Sequence, residues 1–350
     1  MSQQAAERTL PSVVAILGAG SWGTTFAKIL ADAAQAAGTE RGIRLWGRRD
    51  EVVEQINAVH RNEQYLKEIP LPARITASTD VAAVLSGAEL VVLAVPAQSL
   101  RLQLRKWKSL LSPNAVVVSL MKGLELSTDA RMSEVISEEL GVPADRVAVV
   151  SGPNLAMEIA RQEPTASVVA CTDEDTAKWI ARCCTAPYFR PYTSTDVVGV
   201  EIGGIVKNVI ALAVGICEGK QMGDNTKASV ITRGLAETSR LALALGGEAH
   251  TMAGLAGLGD LVATCSSPLS RNHTAGRLLG QGLTLEQVAA TMTQTAEGIK
   301  SGHAVHELAG KLGVDMPITA AVVAVLEGKL SVDELGPRLL ARELKSEGDH

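Results

Sequence analysis

Residues 16–23 read ILGAGSWG, an apolar run that opens into Gly18, Gly20 and Gly23. Val13–Leu17, just ahead, is apolar enough for a buried strand, and Trp22–Ala36, just after, has the length and pattern of a helix. In such a setting the first glycine permits a tight turn. The second lets backbone N–H groups approach a pyrophosphate, and the third lets the helix pack closely on the strand. The helix N-terminus adds partial positive charge where phosphates would lie. The bare spacing is common in glycine-rich turns that bind nothing. A strand before it and a helix after it favour the dinucleotide reading.

The next strand, ending in IRLW, runs into Gly47-Arg48-Arg49-Asp50. An acidic residue directly at that strand end would hydrogen-bond the adenosine ribose hydroxyls and select NAD. Two arginines come first here, and they suit the 2′-phosphate of NADP. The plain alternative is a solvated arginine pair on a loop. NADP is favoured, with NAD as the second choice.

Further along, Leu90–Val95, Ala115–Ser119 and Val147–Val150 join Val13–Leu17 and Ile43–Trp46 as short apolar strands bounded by Gly, Pro, Asn or charge. Helix-length segments such as Val52–Val59 lie between them. This alternation predicts an α/β fold with a mainly parallel, doubly wound sheet covered on both faces. VVACTD (168–173) and YFRPYTS (188–194) read as further strands at its edge. From about Asp196 strand signals nearly vanish and helical periodicity takes over. The expected organisation is a dinucleotide-binding domain over 1–194, an all-helical substrate-binding and catalytic domain over 195–340, and a charged flexible tail over 341–350.

Bulk properties narrow the class. The 350 residues are 46% hydrophobic and 20% charged, ordinary for a globular chain, but only 3% are aromatic. The core must therefore be built from Ala, Val, Leu and Ile. A net charge of −5 with no Lys/Arg run argues against a nucleic-acid partner. Cys171, Cys183, Cys184, Cys217 and Cys265 are odd in number and form no CxxC pair. That pattern fits reduced thiols in a cytoplasm rather than a disulfide framework or zinc site. The start, MSQQAAERTLPS, lacks the apolar core of a signal peptide, and no uninterrupted apolar run approaches the ~18 residues of a membrane span. A soluble, cytoplasmic protein without membrane insertion is expected.

Chemistry must come from polar residues in apolar settings. Lys207 sits in the middle of GGIVKNVIALAVG, where an unpaired ammonium would be costly. Gly203 and Gly204 lie four and three residues before it on the same helix face and are read as leaving open space beside the lysine. Snorkelling to the surface is the bland alternative. Asp260, in GLAGLGDLVATC, is either a partner for that lysine or a helix cap. In SSPLSRNHTAGRLLG, Ser270 can cap a helix whose first residues are Arg271 and Asn272. A cation at that end is disfavoured by the helix dipole, and a bound anion would resolve the conflict. Lys122, in SLMKGLE, follows a strand on the carboxyl edge of the sheet, where open α/β folds bind ligands. His303 and His306 lie three apart with no Cys or acidic cluster, so no metal site is expected.

At this point the chain resembles a known family. GAGSWGT, LVVLAVPAQ, MKGLE, SGPN, EIGGIVKNVIALAVG, GDNTKASVITRGLAE, GLGDLVATCSSPLSRN and AEG occur in the order seen in bacterial NAD(P)-dependent glycerol-3-phosphate dehydrogenases, from about residue 13 to 330. The resemblance implies a Rossmann-type N-terminal domain, a helical C-terminal domain, a homodimer, and reversible reduction of dihydroxyacetone phosphate to sn-glycerol 3-phosphate for phospholipid synthesis. Carried over residue by residue, Ser21 and Trp22 line the cofactor, Arg48 and Arg49 lie near its adenosine end, and Ala156 borders it. Lys122 touches cofactor and substrate, while Gly152 and Asn154 border the substrate. Lys207 becomes the proton donor and acceptor with Asp260 beside it. Ser270, Arg271 and Asn272 hold the substrate, Arg271 also reaching the cofactor, and Thr295 and Glu297 close on the nicotinamide side. Asn154 and Thr295 depart from the family, which usually has Ser or Thr at the first position and an aliphatic residue at the second.

Two rivals stand beside this reading. A related dehydrogenase of a β-hydroxyacid or ketopantoate would share the glycine turn and the helical-domain lysine, but the Ser270-Arg271-Asn272 helix start favours a phosphate. A non-catalytic NADP-binding sensor would have no use for a lysine buried beside glycines with Asp260 and Lys122 at hand.

Overall fold

The computed structural model describes residues 8–292 and 296–341. Thr295 and the expected tail, apart from Ala341, lie outside the described residues. The chain forms two compact units. The first comprises Met1–Met121, Met132–Val150 and Asn154–Val197, and the second Lys122–Arg131, Ser151–Pro153 and Val198–His350. Two excursions from the first half of the sequence thus belong to the second unit, which a linear division of the chain cannot express.

The first unit is an eight-stranded sheet: β1 (Val13–Leu17), β2 (Gly42–Trp46), β3 (Ile75–Ser78), β4 (Leu90–Leu93), β5 (Val116–Ser119), β6 (Val147–Ser151), β7 (Thr165–Cys171) and β8 (Phe189–Ser194). Their order is β3-β2-β1-β4-β5-β6-β7-β8. β1 pairs in parallel with β2 and β4, β2 with β3, β4 with β5, β5 with β6, and β7 with β8. VVAIL, LVVL and VVVS are apolar on both faces because both faces are covered, as the sequence pattern requires. β3 escaped the sequence reading: ITAS is short and half polar, as an edge strand can be.

Between the strands run α1 (Ser21–Ala36), α2 (Asp50–Val59), α3 (Glu63–Leu66), α4 (Val81–Leu85), α5 (Leu100–Trp107), α6 (Met132–Leu140), α7 (Ala156–Ala160) and α8 (Glu174–Cys184). With aromatics scarce, the core is a lattice of Val, Leu, Ile and Ala around Phe26, Trp179 and Phe189. The Trp179 indole donates to the carbonyl of Thr9 at 2.8 Å, which ties the leading segment down.

The second unit is helical: α9 (Val197–Gly219), α10 (Asp224–Ala244), α11 (Ala249–Met252), a π-helical turn over Leu255–Gly259, α12 (Asp260–Ser266) and α13 (Arg271–Gly280). α14 (Leu285–Thr291), α15 (Glu297–Leu312), α16 (Pro317–Leu326) and α17 (Val332–Leu340) complete it. Although Glu201, Lys207 and Asn208 interrupt it, one helix among the described residues is by length and composition apolar enough to cross a membrane. It is α9, whose most apolar 18-residue window is 94% buried inside the protein. Apolarity on every side here means a core helix wrapped by neighbours.

Glycine sets how closely those neighbours approach. A Cβ on Gly215 or Gly219 of α9 would collide with the backbone of α13, and one on Gly276 or Gly280 of α13 would collide with the backbone of α9. The two helices therefore meet backbone to backbone along paired i, i+4 glycines. The Lys122–Arg131 excursion joins this unit through Leu124, in its core, and through Arg131, whose Nη1 lies 2.7 Å from the Glu201 carboxylate on α9. Glu237 of α10 is buried and accepts from the backbone N–H groups of Ile318 and Thr319 at 2.5 and 3.1 Å, capping α16 from outside.

Candidate active site

In the first unit, Gly18 has φ +131°, a backbone region L side chains avoid, and a Cβ there would strike the Ala94 carbonyl. A Cβ on Gly23 would strike the Gly18 carbonyl, so the third glycine seats α1 against the turn. Beside Gly20 the outcome is different: an added Cβ meets nothing within 4 Å. The turn is thus closed on its structural side and open where a pyrophosphate would approach, and the residues present fit a dinucleotide. Ser21 and Trp22 begin α1, and the buried Trp22 indole N–H has no hydrogen-bond partner among the described residues. Ala156 begins α7, and its carbonyl accepts from the Thr25 hydroxyl of α1 at 3.2 Å.

Arg48 and Arg49 follow β2 and are exposed. Arg49 is not a loose surface charge. Its Nη2 donates to the Tyr65 hydroxyl at 3.0 Å, and its guanidinium lies 5.4 Å from the centre of the Tyr65 ring. Tyr65 escaped the sequence reading because it arrives from α3 after an intervening helix, and no local pattern links it to Arg49. Asn154 is held differently. Both polar atoms of its amide are buried without a hydrogen-bond partner among the described residues.

The second unit brings Lys207, Lys122 and Asp260 together. Lys207 is 8% exposed and Asp260 1% exposed, so neither is solvated. The Lys207 ammonium donates to one oxygen of Asp260 and, at 2.7 Å, to the hydroxyl of Thr264. Lys122 donates to the other Asp260 oxygen at 2.5 Å and to the Gly152 carbonyl at 3.1 Å. Gly152 presents that carbonyl from φ +145°, a conformation that calls for glycine. Lys207 therefore does not snorkel. Nor is Asp260 the cap: Gly259 holds the N-cap position of α12, and the two Asp260 oxygens accept from Lys207 and Lys122.

The glycines beside Lys207 do not leave a void either. The backbone of Ala256 fills the space at Gly203, and the Ser151 hydroxyl and the stem of Lys122 fill that at Gly204. They admit the π-helical turn that leads into Asp260, and the second lysine. Thr264, four residues after Asp260 on the same helix face, was overlooked in the sequence, although the i, i+4 spacing from a singled-out acid was a usable signal.

Burial lowers the Lys207 pKa to about 8; attraction to Asp260 opposes the shift and repulsion from Lys122 adds to it. A lysine so placed can give a proton and take one back close to neutral pH.

At the start of α13, Ser270 is the N-cap, its hydroxyl oxygen accepting from the His273 N–H at 3.3 Å, and Arg271 follows it, exposed. The buried Asn272 side chain is committed within the protein. It donates to the Asn208 side-chain oxygen at 2.9 Å and accepts from the Gly298 N–H at 2.9 Å. Glu297 is the exposed first residue of α15. All five cysteines are buried and unbridged, with burial pushing Cys183 up to about 11. No metal-holding group of His, Cys, Asp and Glu occurs among the described residues.

The family model described as the NAD-dependent glycerol-3-phosphate dehydrogenase N-terminus matches residues 13–177, and its C-terminal counterpart matches 196–336. A Thermobifida fusca protein named glycerol-3-phosphate dehydrogenase (NAD(P)+) is 58% identical over 334 residues, 95% of this chain and 98% of the relative. One of the same name from Corynebacterium jeikeium is 57% identical over 335 residues, with 95% and 99% covered. The crystal structure of glycerol-3-phosphate dehydrogenase from Coxiella burnetii is 36% identical, covers 95% of this chain and 99% of its own, and superposes with a TM-score of 0.87. A ketopantoate reductase from Ralstonia eutropha reaches 18% identity and a TM-score of 0.55, a likeness of fold alone. With both halves matched and full-length relatives above half identity, the chain belongs to the NAD-dependent glycerol-3-phosphate dehydrogenase family.

Proposed function

We propose that this chain reversibly reduces dihydroxyacetone phosphate to sn-glycerol 3-phosphate, the backbone of glycerophospholipids, with NADPH as the preferred cofactor and NADH as the alternative. The observation that carries the reading is the buried Lys207, hydrogen-bonded to Asp260 and Thr264 with Lys122 on the far oxygen of the carboxylate. When bound, the reduced nicotinamide supplies the hydride that reaches the carbonyl carbon. Lys207 gives its proton to the oxygen on which negative charge grows, and in the oxidative direction the neutral amine removes the hydroxyl proton. Asp260 and Thr264 orient Lys207, while Lys122 keeps Asp260 paired.

The substrate phosphate is assigned to the start of α13. There Arg271 supplies a bidentate cation, Ser270 a hydroxyl whose oxygen already accepts from His273, and the helix dipole a favourable field. The Asn272 side chain is occupied by Asn208 and Gly298, so its contribution is through the backbone N–H. Gly152 and Asn154 border the substrate. On the cofactor side, Gly18, Gly20, Gly23, Ser21 and Trp22 take the pyrophosphate, Arg48 and Arg49 the 2′-phosphate, and Ala156, Thr295 and Glu297 the nicotinamide half.

A cytoplasmic homodimer completes the proposal. The burial of α9 inside its own unit supports a protein that does not insert into membranes. The test is nicotinamide absorbance with NADPH or NADH and dihydroxyacetone phosphate, ketopantoate or a β-ketoacid. Oxidation of NADPH with dihydroxyacetone phosphate alone is expected. Turnover of ketopantoate instead would establish the rival dehydrogenase, and cofactor binding without any turnover would establish the sensor.

A further inference from the structure

Asn62 is fully buried in the first unit, just ahead of α3, and its side chain points at the glycine turn. One N–H of its amide donates to the Ala19 carbonyl, between Gly18 and Gly20, at 3.1 Å. The other donates to the Thr24 hydroxyl on the first turn of α1 at 2.9 Å. Asparagine at a helix N-cap ordinarily turns its side-chain oxygen onto the helix it starts. Asn62 holds the N-cap position of α3 and makes no such bond, and its buried oxygen has no partner among the described residues. A local cap is given up and the acceptor has no partner among the described residues, both unfavourable, while both amide N–H groups serve the turn.

We propose that Asn62 is a positioning residue for the cofactor pyrophosphate. In a trans peptide the C=O and the following N–H point in opposite directions. Holding the Ala19 oxygen on the Asn62 side therefore turns the Gly20 N–H to the opposite side. At Gly20 the space is open, since an added Cβ would meet nothing within 4 Å. Left unheld, the Ala19–Gly20 peptide could rotate and present a carbonyl oxygen where an anion must bind. The bond to Thr24 fixes the amide plane, and a second tie, from the Ser21 hydroxyl to the Tyr65 carbonyl at 3.4 Å, keeps α3 against the turn. The inference rests on the reading of the turn as a pyrophosphate site.

The test titrates purified wild-type enzyme, Asn62→Leu and Asn62→Ala with NADPH and NADH by calorimetry, and with ADP and 2′-AMP by competition. Leu keeps the branched shape and removes both donors; Ala serves should Leu fail to fold. The dissociation constants for NADPH, NADH and ADP, which all carry the pyrophosphate, are expected to rise together by about tenfold, the effect of losing one charge-assisted hydrogen bond. The NADPH-to-NADH ratio and the affinity for 2′-AMP, which lacks the pyrophosphate, should hold. Unchanged NADPH and ADP affinity in the folded variants overturns the proposal, as does an equal loss for 2′-AMP, which would mean a general collapse of the site. Failure of the wild type to bind NADPH or ADP would instead remove the underlying reading of the turn, and the proposal with it.

Discussion

Replacing Lys207 by Met should make the second unit more stable at pH 7 while removing turnover. Lys207 and Lys122 share the single carboxylate of Asp260, so this part of the site carries an excess positive charge in a buried setting. Burial is the largest influence on Lys207, whose pKa of about 8 compares with an ordinary 10.5. That gap corresponds to roughly 3 kcal/mol of unfavourable charge in the folded state. The sign follows from proton counting. Between pH 8 and 10.5 the unfolded chain holds a proton that the folded chain has released, so stability rises with pH across that window. Below about pH 8 the full cost is present.

Methionine removes the charge and retains much of the stem. It forfeits the hydrogen bond to Thr264, worth about 1 kcal/mol, and leaves Asp260 neutralised by Lys122. The net gain at pH 7 is therefore about 2 kcal/mol, a rise of roughly 4–8 °C in melting temperature for a unit of this size. Thermal unfolding of both proteins from pH 7 to 10.5, paired with turnover, is the assay. The stability gap should close as pH climbs, and kcat should fall by roughly 10²–10⁴. A Met variant that is less stable at pH 7, or a gap that ignores pH, would refute the argument. Asp260→Asn, which leaves two ammoniums with no carboxylate, should lose about 3–5 kcal/mol instead.

Neutralising Arg48 and Arg49 together should weaken NADPH by at least about tenfold and NADH little, and equal losses in direct titrations would remove these residues from the 2′-phosphate. Arg271→Ala should raise the KM for dihydroxyacetone phosphate strongly, with Arg271→Lys a partial recovery because an ammonium cannot reproduce the fork; an unchanged KM would place the phosphate elsewhere. Gly276→Ala should cost about 1–3 kcal/mol in denaturant unfolding, since its Cβ enters the backbone of Leu212, whereas Gly310→Ala, with nothing within 4 Å, should gain about 0.5–1 kcal/mol. Equal effects at both glycines would deny the close seam.

Much of the first unit was legible because parallel strands buried on both faces leave continuous apolar runs, and VVAIL, LVVL and VVVS could be little else. β3 was not, because its ITAS carries too few apolar residues to stand out from a loop. Lys207 was visible as a charge in an apolar helix, and Asp260 as an acid in a glycine-rich, otherwise apolar stretch. Their meeting was not, for 53 residues separate them and only tertiary packing closes that distance. The glycines show the limit most clearly. Gly203 and Gly204 were read as clearing space, and the structure fills that space with backbone and a lysine stem. A glycine in a sequence says that something approaches closely. It does not say what.

The arrangement of two lysines on one carboxylate has a mechanistic reason that neither lysine supplies alone. If Lys207 were the sole partner of Asp260, releasing its proton would strand a carboxylate that is 1% exposed. The cost of that bare charge would hold the proton on Lys207 and keep its pKa high. With Lys122 bonded to the second oxygen, Asp260 stays paired whether Lys207 is charged or neutral. The net charge of the three groups then alternates between one positive charge and none, and the buried carboxylate is never left alone. Gly204 is part of this device, because any side chain there would crowd the Lys122 stem and the Ser151 hydroxyl. Gly152 is another part, since its φ of +145° presents the carbonyl that anchors the Lys122 ammonium. In the proposed reaction Lys207 both gives and takes a proton, and it would be kept titratable by neighbours whose own charges need not change.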